Sequence, residues 1–236
     1  MKVLVWDIPT RLFHWLFAAA FAVSFITGQA EILFPLHVLS GLLILVLIGY
    51  RIVWGLIGSR YARFTSFLFS PGAASAYAFD VMKGKAKRFI GHNPAGSWAI
   101  YLLLLLGAGA AMAGLLMLVY GESFEDIHEV LANALLAVVI VHLVGLMVES
   151  LVHKESLPKA MINGHKEGAA DDGIKSPHYL AATVLLALMV GTGALFLNGY
   201  DSAKKTLSLP FLAQPLDLSG EEHEGHKHNG HEHEDD

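Results

Sequence analysis

Cysteine is absent from the 236-residue chain. Disulfides, thiolate zinc sites, iron–sulfur ligation and c-type haem attachment are thereby excluded within it. Histidine, present 13 times, is left as the obvious transition-metal ligand. Charge is scarce too. Asp, Glu, Lys and Arg make up 16% of the residues while 54% are hydrophobic, and the mean hydropathy is +0.51. Soluble domains carry about 25% charged residues, so the composition is that of a membrane protein. No basic face is present that would hold nucleic acid. The formal charge of −5 misleads, because the acids crowd into the C-terminal stretch EEHEGHKHNGHEHEDD.

What the chain has instead is long apolar runs. They cover approximately residues 12–29, 36–58, 97–119, 129–152 and 178–198, each close to the ~20 residues a helix needs to cross the hydrocarbon core. The first resembles a signal peptide in place, but it has no small-x-small cleavage site and follows Asp7 and Arg11, so it reads as a retained span. The expected fold is an all-α transmembrane helical bundle. Residues 1–200 are expected to form the membrane domain, and 201–236 an outer-side tail, rich in histidine and acid and disordered.

Lysine and arginine set the orientation. Lys2 and Arg11 precede the first span. Arg51, Arg60, Arg63, Lys83, Lys85, Lys87 and Arg88 lie around the loop after the second, and Lys154, Lys159, Lys166 and Lys175 follow the fourth. The connections 30–35 and 120–127 have neither residue. The N-terminus is therefore expected on the cytoplasmic side and, after five spans, the C-terminus outside. The loop 59–96, with Phe64, Phe67, Phe69, Tyr77 and Phe79 among basic residues, reads as an interfacial amphipathic stretch.

Four histidines, His14, His37, His128 and His142, lie inside or at the edges of these spans. An ionisable side chain is costly in a bilayer and marks a functional site by default. His128 and His142 are 14 residues apart, which returns to within roughly 40° of the same helix face after a rise of about 21 Å. One helix can thus present two ligands at two depths. With the orientation above, His37 and His128 share the outer depth, and His14 and His142 the inner one. A neutral imidazole on each face of a porphyrin gives six-coordinate iron, suited to electron transfer. Two stacked haems b, ligated by His37 with His128 and by His14 with His142, account for all four. A single membrane histidine can equally hydrogen-bond a neighbouring helix, but paired depths favour ligation. His153, 11 residues beyond His142 and nearly on the same face, is the alternative inner ligand, against which stands its place beside Lys154 at the water interface.

Other positions carry less. His92, in GHNPAG, reads as a solvated loop histidine ahead of a helix, and His165 and His178 as interface histidines. Ser40, Gly41 and Gly145 are small enough to admit a flat macrocycle, whereas the small residues from Gly107 to Gly114 read first as helix packing. Arg11, Arg51 and Arg60 are either propionate partners or positive-inside anchors. In the tail, His223, His226, His228, His231 and His233 alternate with acids and are candidates for divalent metal.

Several segments together resemble the bacterial cytochrome b561/Ni-Fe-hydrogenase b-type cytochrome family. They are VWDIPTRLFHW around His14, TG at Thr27–Gly28, LHVLSG around His37, GHNPAG around His92, and HEVLANALLAVVIVHL with His128 and His142. The resemblance covers approximately residues 3–200 and implies a four-helix core around two b-type haems, with His37 and His128 on the outer one and His14 and His142 on the inner one. It also implies electron passage between a partner redox protein and membrane quinone, in a bacterial inner membrane with a periplasmic C-terminus. Formate dehydrogenase gamma subunits and superoxide:quinone oxidoreductases look like relatives. The fifth span and the histidine-rich tail are not part of the family pattern.

The leading expectation is accordingly a di-haem electron-transfer subunit whose partner is hydrogenase-like, a dehydrogenase or a c-type cytochrome. A divalent-metal transporter or sensor using the tail is the alternative, weakened by spans that hold no carboxylate besides Glu149 and, at the very edge of the fourth, Glu129. A self-contained superoxide:quinone oxidoreductase is a third.

Overall fold

In the computed structural model, which describes residues 1–210 and 212–220, every long apolar run is a helix. The helices are α1 (Ile8–Thr27), α2 (Phe34–Ile57), α3 (Pro71–Met82), α4 (Pro94–Tyr120), α5 (Glu125–His153), α6 (Leu157–Asn163) and α7 (Tyr179–Gly199). Five of them, α1, α2, α4, α5 and α7, are long and apolar enough to cross a membrane. Their starts are written in the sequence. The Asp7 carboxylate accepts from Thr10 N at 2.7 Å and from Trp54 Nε1 at 3.2 Å, so one buried group both caps α1 and ties it to the end of α2. Asn93 caps α4 by accepting from Gly96 N at 2.6 Å, and Pro94 presets the first turn.

α1 with α2 and α4 with α5 form two hairpins, which meet where α2 packs on α4; α7 lies against α2 and α1. This is a four-helix core with a fifth span beside it. Phe13, Ala20, Ile44, Leu47, Ile48 and Leu185 form the buried layer between α1, α2 and α7. The small residues of α4 let both neighbours approach: a Cβ on Gly107 would stand 3.0 Å from the Phe17 ring, and one on Gly109 would stand 3.1 Å from Leu131 of α5. Leu135 alone of α5 is buried. That helix leans on α4 and makes no extended interface with α1 or α2 among the described residues.

One end of the bundle gathers the N-terminus and the lysine- and arginine-bearing loops. There β1 (Lys2–Leu4) pairs antiparallel with β2 (His165–Glu167), over a small core of Val3, Val5, Trp6, Tyr61 and Ala160. This is the basic end. The loop read as an interfacial stretch contains α3, which docks on α4 and α5. At the opposite end the chain turns back after α7 as β3 (Tyr200–Asp201), β4 (Thr206–Leu207) and β5 (Leu216–Asp217), a three-stranded antiparallel sheet. Leu207, Leu209, Leu216 and Leu218 point from it onto Val38 and Phe196. The sheet therefore continues from α7 across residue 200. Two pairs of leucines at period two, one running out of β4 and one out of β5, give these segments an apolar face to bury, which holds the sheet on the bundle. Residues 221–236, with the five tail histidines, lie outside the described residues.

Candidate functional site

The four span histidines come together as two pairs at two levels of the bundle. At the end away from the basic loops, the His37 and His128 rings lie 5.9 Å apart, centroid to centroid, with planes at 82°. Each is held by the neighbouring helix of its own hairpin. His37 Nδ1 lies 2.8 Å from Ser24 O, and His128 Nδ1 lies 2.8 Å from Ala110 O. A carbonyl only accepts, so in both rings Nδ1 carries the proton and Nε2 keeps its lone pair. Gly28 and Gly114 stand four residues beyond those carbonyls, against the same rings. A Cβ would meet His37 Nδ1 at 3.2 Å in the first case and His128 Nδ1 at 3.1 Å in the second. Both hairpins thus use one device, a carbonyl at i and a glycine at i+4, to orient an imidazole. Phe34 lies parallel to the His37 ring at 6.0 Å.

At the basic level, His14 of α1 and His142 of α5 are near enough for their charges to interact. His14 Nδ1 is buried with no hydrogen-bond partner, and its ring meets Trp15 edge-on at 5.0 Å. His153 lies at the end of α5 with its own Nε2 buried and unpartnered, but the histidine that acts on His14 is His142. Gly41 and Gly145, near His37 and His142, have nothing within 4 Å of a would-be Cβ. The free Nε2 of His37 and of His128, the unpartnered Nδ1 of His14, open helix faces beside them and an α5 that stands off α1 and α2 fit a planar, bis-imidazole-ligated macrocycle.

Comparison with known proteins meets this geometry. The profile of the family described as prokaryotic cytochrome b561 matches residues 5–164. The chain belongs to that family. It is a multi-pass membrane b-type cytochrome, an electron carrier that uses haem b. Among curated proteins it is similar to the probable Ni/Fe-hydrogenase B-type cytochrome subunit of Rhodobacter capsulatus, at 22% identity over 213 residues, covering 70% of this chain and 81% of that protein. The counterpart from Cupriavidus necator is 22% identical over 211 residues, covering 69% of this chain and 86% of its own length. No solved structure gives a significant match.

The three arginines considered for propionates differ in this cytochrome. Arg11 donates to Ile162 O at 2.5 Å and keeps Nε buried without a partner. Arg51 is 3% exposed, lies 4.8 Å from the Phe64 ring centre and keeps Nη1 unpartnered. Arg60 is exposed, with Nη1 on Asp171 O at 3.1 Å. The first two hold unused buried donors; the third is turned outward.

His92 is not a solvated loop residue. Its ring lies between Trp6 at 4.6 Å and Phe67 at 4.3 Å, and its Nδ1 is buried without a partner. Burial first, then the nearby Arg51 and Lys166 charges, hold its pKa down to about 3. The loop packs because Trp6 and Phe67 supply two aromatic faces, which a turn signal in the sequence does not reveal. Sequence reasoning also missed the partners of Glu149, which accepts from Tyr77 OH at 3.0 Å and from Asn93 Nδ2 at 2.5 Å. Its spacing held a signal: Glu149 is seven residues past His142, within roughly 20° of the same face. Among the described residues, no three metal-ligating side chains gather into a cluster of their own.

Proposed function

We propose that this cytochrome carries two haems b, one on His37 and His128 and one on His14 and His142, and passes electrons between a redox partner protein and membrane quinone. The observation that carries the reading is the double pairing of histidines at two levels. Bound to two imidazoles, haem iron supplies one-electron transfer by cycling between its ferric and ferrous states. The chain's own residues do the positioning. Ser24 O and Ala110 O fix the outer imidazoles as Nδ1–H donors, which leaves Nε2 as the ligand and raises its basicity. The unused donors of Arg11 and Arg51 suit propionates at the basic end. The family's use of hydrogenase b-type subunits favours a hydrogenase-like partner, with a dehydrogenase or c-type cytochrome as other choices. Such a partner meets the end that holds His37 and His128, on the periplasmic side of a bacterial inner membrane, if the basic end is cytoplasmic.

Quinone needs an apolar approach from the lipid to the other level. A groove of about 300 Å³ between α2 and α4, lined by Ile48, Ile52, Phe64, Tyr101, Leu104 and Ala108, offers one. Ile48 and Phe17, one turn from His14, both reach toward Gly107, so the groove stands near the depth of His14. His92 is an unsuitable proton donor for a quinone there, since it stays neutral at physiological pH.

A reduced-minus-oxidised spectrum with haem quantification tests the pairing. His37→Ala and His128→Ala should remove one b-type component and His14→Ala and His142→Ala the other. Loss of the same component from His14→Ala and His37→Ala would refute the assignment. Filling the groove by Ile52→Trp should slow turnover of a soluble quinone analogue at full haem content; unchanged turnover places the quinone elsewhere.

A further inference from the structure

At the basic end, between the end of α2 and the start of α7, lies a cavity of about 350 Å³ that the electron-transfer reading does not use. Arg60, Lys175, Ser176 and His178 line it together with Ser59 and the single carboxylate-bearing Asp171. Three observations agree on what it takes. The first is the start of α7. His178 occupies the cap position in the left-handed region, φ 59°, and its side chain makes no capping hydrogen bond. A 21-residue helix therefore opens toward the cavity with its first N–H groups lacking intrahelical partners and with the positive end of its dipole. The second is Ser59. It is 7% exposed, lines the cavity, and its Oγ is buried without a hydrogen-bond partner. A buried hydroxyl left unpaired is costly, and Ser59 is one of the residues that line the cavity. The third is charge and place. Arg60 and Lys175 bring two cations to the rim. Arg60 is held there by its bond to Asp171 O and by the Tyr61 ring at 5.2 Å.

The cavity opens where hydrocarbon contact begins. Leu56 and Ile57 at the end of α2 and Tyr179 and Leu180 at the start of α7 are all more than 60% exposed. These are surfaces for acyl chains and an interfacial ring. We infer that the cleft between the end of α2 and the start of α7 binds the phosphodiester headgroup of an anionic phospholipid, through Arg60, Lys175, the Ser59 hydroxyl and the α7 N-terminus. Its acyl chains lie along the exposed faces of α2 and α7. A free phosphate ion shares the headgroup chemistry but has no use for those apolar faces, which decides for the lipid.

The experiment uses the full-length protein, purified in detergent and placed in nanodiscs of phosphatidylglycerol or phosphatidylcholine, with retained lipid counted by native mass spectrometry. The wild type should retain phosphatidylglycerol over phosphatidylcholine. Arg60→Ala with Lys175→Ala should cut that retention about tenfold, the scale of a lost charge-assisted hydrogen bond. Ser59→Ala removes a hydroxyl that bonds nothing in the protein, so it leaves the fold intact and should lower retention a few-fold. Lys85→Ala with Lys87→Ala, on the same end but outside the cleft, should change nothing. Equal loss in that control pair would mean diffuse surface charge and overturn the site. So would undiminished retention in the Arg60 and Lys175 variant. Stabilisation by millimolar inorganic phosphate with no preference for phosphatidylglycerol would overturn the lipid assignment in favour of a free anion.

Discussion

Replacing Gly114 separates haem ligation from helix stability. A Cβ at this position would lie 3.1 Å from both Cε1 and Nδ1 of His128. Ordinary carbon contacts begin near 3.5 Å, so alanine must push the ring by roughly 0.4 Å. The His128 Nδ1 bond to Ala110 O, 2.8 Å long, then stretches toward about 3.2 Å, the limit of a good bond. That costs up to about 1 kcal/mol, while alanine returns about as much in helix propensity. Gly114→Ala should thus melt near the wild-type temperature, with a shifted potential for one haem only. Leucine cannot be absorbed this way, because its side chain needs the volume of the ring. Losing the orienting partner of a metal-bound histidine typically costs 10- to 100-fold in affinity. Gly114→Leu should therefore lose the same spectral component as His128→Ala while the other stays. Gly191→Leu is the control, since a Cβ there meets nothing within 4 Å. Haem per chain and a spectroelectrochemical titration give the readout. If Gly114→Leu keeps both components at wild-type potentials, or loses the one removed by His14→Ala, the argument that His128 is an oriented ligand fails.

Acid should loosen the basic end through His92. Its pKa in the folded protein, about 3, is below the ordinary histidine value, so the unfolded chain binds a proton that the folded one refuses. Its contribution to stability is intact above about pH 6.5 and drains as pH falls toward 3, at up to about 1.4 kcal/mol per unit. Thermal unfolding between pH 7 and 5 should be flatter in His92→Phe, and parallel curves would remove His92 as the cause. Glu149→Leu strands Tyr77 OH and Asn93 Nδ2, at about 1–3 kcal/mol each. Limited proteolysis should then cut the 59–93 loop faster, whereas Tyr77→Phe should have the milder effect; the reverse order would contradict this account. Deleting residues 221–236 should leave haem content and quinone-linked turnover unchanged while abolishing weak, pH-dependent divalent-metal binding, and a loss of haem would give the tail a part in assembly.

The spans were legible because hydrocarbon leaves so little choice. Some twenty apolar residues must form a helix, since each unpaired backbone group costs several kcal/mol in lipid. The proposed histidine pairing has the same basis, as depth along the chain translates into depth in a bundle. What the sequence hid were contacts made across it. Ser24 O and Ala110 O are backbone atoms, so no residue type advertises them, and Thr27–Gly28 marked a motif without saying that Gly28 makes room for the His37 ring. The sheet after α7 went unread because its alternation is only two leucines long at β4 and again at β5, below the length at which period two is convincing.

His92 shows why local signals at a membrane surface mislead. Asn93 and Pro94 do mark a helix start, and the structure has it there. Yet the residue ahead of a cap is not thereby solvated. The basic end buries its own small core under the β1–β2 pair, and the loops that close the bundle supply the aromatic faces which take His92 out of water. The same packing buries Arg51 and leaves its Nη1 without a partner. A cation kept this dry, beside an apolar groove and near the depth of His14, is costly unless an anion shares it. The buried Asp7 carboxylate already acts on that charge, so what the proposed propionates would take at the basic end is the Nη1 donor left over.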